Sequence, residues 1–171
     1  MVASVVETRD IFQDLLGKAN KLARRVGLGN RLKKLTEGYR YTSSTQSRID
    51  PKILNALFGD PTTRESGLDS DQSKLKAPDD FDWVIEIRNK PGVTDNRGQT
   101  AKELIHNKVG GDASDQVFSS RVFYIKGPQL QEPELNKIAA ELHNDLIEDA
   151  VIKNALTLMP LDLVQISQKY L

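Results

Sequence analysis

From residue 83 to 88, Trp83, Ile85 and Ile87 alternate with Val84, Glu86 and Arg88, which is the period of a strand buried on one face and wet on the other. Pro91 and Gly92 interrupt that ladder, and Asp95 is placed to accept hydrogen bonds from the first free amides of a helix. The helix is predicted over Gln99 to Val109. Ala101, Leu104, Ile105 and Lys108 share one stripe, while Lys102 and Glu103 turn to water.

Beyond Gly110 and Gly111 the pattern returns to strand. Val117 to Ser119 and Arg121 to Ile125 are rich in Val, Phe and Tyr, and the gap between them is too short for a crossover, so they are predicted to be antiparallel neighbours. Gly127 and Pro128 break the chain again. Pro133 then opens a helix whose Leu135, Ile138, Ala139 and Leu142 recur at helical spacing, and Asp149 to Lys153 forms a closing strand. The expectation for residues 82 to 154 is therefore an α+β, ferredoxin-like β-α-β-β-α-β domain, with two helices on one face of a four-stranded antiparallel sheet.

Residues 1 to 59 are predicted as a helical extension. Ser4 and Glu7 have capping-box spacing, and Ile11, Leu15, Leu16, Ala19, Leu22, Ala23 and Val26 mark one apolar face of a helix ending at Gly27. Asp50 and Pro51 start a second, short helix, with Ile53, Leu54, Leu57 and Phe58 as its apolar face. Residues 60 to 81 lack periodicity and read as a linker. Residues 155 to 171 form a tail whose Leu161, Val164 and Tyr170 fit a short helix needing a surface to pack on.

Two segments carry a family resemblance. Lys90-Pro91-Gly92-Val93-Thr94-Asp95-Asn96-Arg97-Gly98-Gln99-Thr100-Ala101 is similar to the first loop and helix start of the small subunit of phosphoribosylformylglycinamidine synthase, where a V-x-D-P-x-G sequence recurs. Asn96 stands where that family usually has proline. Ala140 to Asp149 resembles the family's L-L-A-N-x-V-I-E-D junction between second helix and last strand, with Leu146 replacing a usual Val and Asp145 at a position where Pro or Thr is common.

The resemblance implies a non-catalytic part of de novo purine biosynthesis. In that family a synthetase converts formylglycinamide ribonucleotide to its amidine with ATP, a glutaminase supplies ammonia, and the small subunit bridges the two. It also implies self-association through sheet edges, giving at least a dimer. The residues it singles out, Pro91, Gly92, Asp95, Gly98, Asn144, Ile147, Glu148 and Asp149, are expected to act structurally: Asp95 as a cap, Gly98 to allow a tight first turn, Glu148 where the last strand begins. The added terminal regions fit either a free subunit with a docking arm or the front domain of a fused synthetase.

Composition narrows the alternatives. The 171 residues contain 24 Lys and Arg against 24 Asp and Glu, so no overall field draws in nucleic acid or an anionic membrane. Cysteine is absent, which excludes disulfides and thiolate metal sites. No apolar run reaches membrane-span length and the amino terminus lacks a signal-peptide pattern, so a cytoplasmic location is expected.

Candidate chemistry is sparse. His106 and His143 are the only histidines and have no companion ligands at metal-binding spacing. Ser119 and Ser120 have no motif that would supply a base and an oxyanion hole. Gly27-Leu28-Gly29 follows a helix, whereas a dinucleotide loop follows a strand. No catalytic residue, metal ligand or cofactor is therefore expected. The basic side of the first helix, Lys18, Lys21, Arg24 and Arg25 with Arg31, Lys33 and Lys34 beyond it, reads first as a solvated face, then as a dock for an acidic protein, and last as an RNA or membrane contact, since Asp10, Asp14 and Glu37 interrupt it. The competing function is a ferredoxin-like regulatory or RNA-binding module, with Phe123, Phe118 and Tyr124 as stacking aromatics.

Overall fold

A computed structural model describes residues 2–10, 15–58, 64–68 and 80–155. In chain order the elements are β1 (Val2–Asp10), α1 (Leu15–Val26), β2 (Lys34–Thr45), α2 (Pro51–Phe58), β3 (Arg64–Leu68), β4 (Trp83–Asn89), α3 (Asn96–Val109), β5 (Gln116–Lys126), α4 (Glu132–Leu142) and β6 (Glu148–Asn154). The six strands among the described residues form one sheet in the order β3-β1-β2-β5-β4-β6, with every neighbouring pair antiparallel.

That order is the same read from either edge: each half is a β-α-β-α-β unit whose first strand lies between the other two, and the halves join where β2 pairs with β5. The fold is α+β, with an antiparallel sheet and helices compatible with the ferredoxin-like class. The run β6-β4-β5-β2 has the strand order of a ferredoxin-like sheet, with its outer place filled by a strand from the other half of the chain.

Three expectations are corrected here. The predicted pair of strands around Ser119 and Ser120 is one continuous strand, β5, paired to β2 from Gln116 to Lys126 in an unbroken register. Its alternation never resets at Ser120, so no turn residue was there to find. The stretch 1–59 is not wholly helical, because it contributes β1 and β2, and the Ser4 to Glu7 capping-box spacing falls inside β1. Val2, Val5, Val6 and Thr8 make that stretch β-branched, and pairing with β2 over eight positions outweighs a local helix-start signal. The expected linker contains β3, which pairs with β1. The tail beyond Ala155 lies outside the described residues.

The helices were better specified. α1 ends at Gly27, whose φ of +71° is the left-handed stop expected of glycine. Asp50 caps α2, accepting from the Lys52 amide at 2.9 Å. α4 has Pro133 in its first turn and buries Leu135, Ile138 and Ala139. α3 starts three residues earlier than predicted because Asp95 caps it at Asn96. It buries Ala101 and Ile105, while Leu104 lies at the margin, 42% exposed.

The strand registers place the four described helices on one face of the sheet. Leu35, Tyr39 and Tyr41 of β2 share that face with Val117, Phe123 and Ile125 of β5. α1 and α4 pack over Leu35, Ile85, Ile87, Phe123 and Ile125, and α2 and α3 pack over Tyr41 and Val117. The expectation of a wet outer face on β4 is overturned: Val84 and Glu86 are both 1% exposed, beside Val122 and Tyr124. There Glu86 accepts from Arg40 at 3.0 Å, from Arg88 at 2.6 Å and from the Ser120 hydroxyl at 2.7 Å. Ser120 pairs across the ladders with both Arg40 and Arg88, so one carboxylate lies among two guanidiniums on three adjacent strands.

Candidate functional site

β4 ends at Asn89, and the chain turns through Lys90, Pro91 and Gly92, where the Val93 amide donates to the Lys90 carbonyl at 3.1 Å. Gly92 has φ of +85°, a conformation other residues reach only with strain. Pro91 and Gly92 are solvent-facing. Asp95 then does more than cap α3. Its Oδ1 accepts from the Gly98 amide at 2.8 Å and the Ser119 hydroxyl at 2.7 Å, and its Oδ2 accepts from the Ser119 amide at 2.5 Å. The helix entrance is thereby fastened to the middle of β5.

Gly98 is required by that fastening. A Cβ at this position would lie 2.5 Å from Asp95 Oδ2 and 2.6 Å from the Val117 carbonyl oxygen. The glycine is therefore there for close approach to β5, and its own φ is unremarkable.

The second motif forms a turn between α4 and β6. The Ile147 and Glu148 amides donate to the Asn144 carbonyl at 3.1 and 2.8 Å, and the Leu146 amide donates to the Asn144 side chain at 3.1 Å. Glu148 reaches back to accept from the Asn144 amide at 2.8 Å. The same carboxylate accepts from Arg121 of β5 at 3.0 and 3.2 Å, and Arg121 also donates to the Leu142 carbonyl at 3.0 Å. Leu146 and Ile147 project to solvent, 81% and 45% exposed.

The two motifs, about fifty positions apart in sequence, meet at one end of the sheet. The Lys90 amide donates to the Ile147 carbonyl at 2.9 Å, and the Lys90 ammonium donates to the Asp145 carbonyl at 2.5 Å with Asp149 3.8 Å away. Asn89 pairs with Glu148 and Arg88 with Asp149 in the ladder. The eight residues singled out from the sequence thus lie in or beside two connected turns, Gly98 in the first turn of α3 and Glu148 and Asp149 at the start of β6, and their polar partners are backbone groups and the side chains of Lys90, Ser119 and Arg121.

Beside this junction is a cleft of 430 Å³, lined among others by Arg88, Lys90, Thr94, Asp95, Phe118 and Ser120. Its ionic groups are committed: Arg88 to Glu86, Lys90 to the Asp145 carbonyl and Asp149, Asp95 to Gly98 and Ser119. Ser119 and Asp95 adjoin without a histidine to complete a nucleophile. Among the described residues no group of three or more His, Asp or Glu side chains is placed to hold a metal ion, and no helix is long and apolar enough to cross a membrane.

His143 caps α4, with Nδ1 2.5 Å from the Ala139 carbonyl oxygen. His106 Nε2 lies 3.1 Å from Asp115 Oδ2. Asp115 is a hub that the sequence did not reveal, accepting also from the Asp112 and Gln46 amides at 2.9 Å each. Those amide bonds, the one from Asp112 first, hold its carboxyl below the ordinary aspartate range. The only available signal was the Asp112 to Asp115 spacing of a turn.

The basic side of α1 is partly neutralised: Lys18 binds Glu37 at 2.6 Å, Arg25 binds Glu141 at 3.4 Å, and Arg31 binds Glu134. Of the three candidate stacking aromatics, Phe123 and Tyr124 are buried at 0% and 2%, and only Phe118 is exposed, at 40%. Compared with known proteins, the chain matches no family model and no curated protein.

Proposed function

We propose that this chain is a non-catalytic bridging component of phosphoribosylformylglycinamidine synthase, as a free subunit or as the leading part of a fused synthetase, holding glutaminase and ATP-dependent synthetase together for ammonia transfer. The observation that carries the reading is the junction of the two family-like segments, joined by the Lys90 amide and the Ile147 carbonyl at 2.9 Å. Segments selected for catalysis leave reactive groups open to substrate; here Asp95, Glu148 and Lys90 are spent on fastening loops to strands. That is what a rigid spacer between two enzymes requires. Among the described residues, β3 pairs only with β1 and β6 only with β4, leaving sheet edges through which copies of the chain would associate in the cytoplasm.

The test is reconstitution. Purified chain is mixed with a glutaminase and a synthetase of this pathway, and glutamine-dependent amidine formation is followed. Omitting the chain should abolish glutamine-dependent activity while leaving activity with free ammonia intact. Equal glutamine-dependent rates with and without the chain would refute the proposal. The regulatory or RNA-binding alternative loses its main support with the burial of Phe123 and Tyr124.

A further inference from the structure

On the helix-bearing side of the sheet, α2 and α3 flank an open groove of 490 Å³ whose lining includes Tyr41, Leu57, Phe58, Arg97 and Leu104. Its floor is a stacked pair, Tyr41 on Phe58, with ring centres 4.7 Å apart and planes inclined by 25°. Both residues are only 8% exposed, so the floor is a small, largely covered apolar surface. Leu104 stands on the rim, 42% exposed. This gives the groove a hydrophobic margin with nothing described covering it.

Among the described residues Arg97 supplies the single charge of the lining. Its guanidinium carbon lies 3.8 Å from the centre of the Tyr39 ring, and Nη1 is 3.5 Å from the Tyr41 hydroxyl. Stacking on one ring and anchoring on another fixes its orientation in advance. The nearest candidate counter-ion, Asp95, already accepts from Gly98 and from Ser119 twice. Among the described residues Arg97 has no carboxylate at ion-pair distance, and the groove lining contains no acidic side chain. A pre-oriented guanidinium beside an apolar trough complements a carboxylate next to an apolar side chain.

We propose that the α2–α3 groove docks an acidic amphipathic segment of a protein partner, with an apolar side chain seated over Tyr41 and Phe58 against Leu104 and a carboxylate bound by Arg97. A nucleic-acid strand is a poorer match, because the lining holds one cation and its aromatic faces are already stacked on each other. This assignment stands on the groove alone and does not depend on which enzyme complex the chain serves.

The probe is a synthetic amphipathic helical peptide bearing leucine and glutamate on one side, with a counterpart in which lysine replaces glutamate. Each is titrated into isotope-labelled full chain and followed by amide and Arg97 side-chain resonances. The acidic peptide should shift α2, α3 and the Arg97 signals, and the lysine peptide should bind at least about tenfold more weakly. Arg97→Gln and Leu104→Glu should each weaken the acidic peptide about tenfold, while the dispersion of the free chain's amide resonances shows that each variant is still folded. The proposal is overturned by equal binding of the two peptides, by shifts elsewhere on the molecule, by no shift at millimolar peptide, or by a single-stranded oligonucleotide that perturbs the same resonances more strongly.

Discussion

Asp95 grips Ser119 with both carboxylate oxygens, one on the backbone amide at 2.5 Å and the other on the hydroxyl at 2.7 Å. A capping residue that also binds a strand 24 positions away couples the helix start to the sheet, so the local and the long-range contact fail together. Asp95→Ala is expected to destabilise the chain by about 2–3 kcal/mol, more than a cap alone. Ser119→Ala should cost less because its amide remains. A double-mutant cycle by urea denaturation checks this: purely additive effects would mean that cap and strand contact are independent.

Gly98 tests the close approach to β5. Gly98→Ala should destabilise by about 1–3 kcal/mol, since its Cβ meets a carbonyl oxygen that cannot move without disturbing the β2–β5 ladder. Gly98→Val should be worse and, under the bridging function proposed above, should also impair assembly with synthetase and glutaminase. Sedimentation showing unchanged complex formation by a folded Gly98→Val chain would contradict the structural role assigned to this glycine.

Glu86 holds two guanidiniums inside the sheet. Glu86→Ala leaves Arg40 and Arg88 without their shared carboxylate and is expected to cost about 3–5 kcal/mol. Replacing Arg40, Glu86 and Arg88 together with apolar residues of similar volume should recover much of that loss. Thermal unfolding of the single and triple variants distinguishes a stabilising triad from one that chiefly sets strand register.

Asp115 should carry part of the chain's acid sensitivity, beside Asp112 and Glu134, whose carboxyls are also held low. Its carboxyl is held below the ordinary range in the folded chain by the Asp112 and Gln46 amides, so protons bind more tightly to the unfolded state. The stabilisation is present at neutral pH and is lost as pH falls through the lowered value, below about pH 4. Asp115→Asn should have a lower urea midpoint at pH 7 and a shallower decline from there to about pH 3. An acid limb identical to that of the unaltered chain would show that Asp115 does not contribute to it.

The residue order by itself determined the parts governed by neighbours along the chain. Gly27 and Gly110 stop helices, Asp50, Asp95 and Pro133 start them, and the apolar spacing of α4 places Leu135, Ile138 and Ala139 inward, because caps, φ preferences and helical periodicity act over a few residues. The strand character of β4 and of residues 149 to 153 in β6 was equally legible. Tertiary structure alone decided what depends on strands far apart in sequence. Ser119 and Ser120 could have been a turn, yet pairing with β2 makes β5 continuous; Glu86 and Arg88 look like a wet face until Arg40 arrives from β2 to enclose them; and β1 overrides a helix-start signal once a partner strand is beside it. Backbone pairing and desolvation are set by which segments meet, a property that no window of neighbouring residues contains.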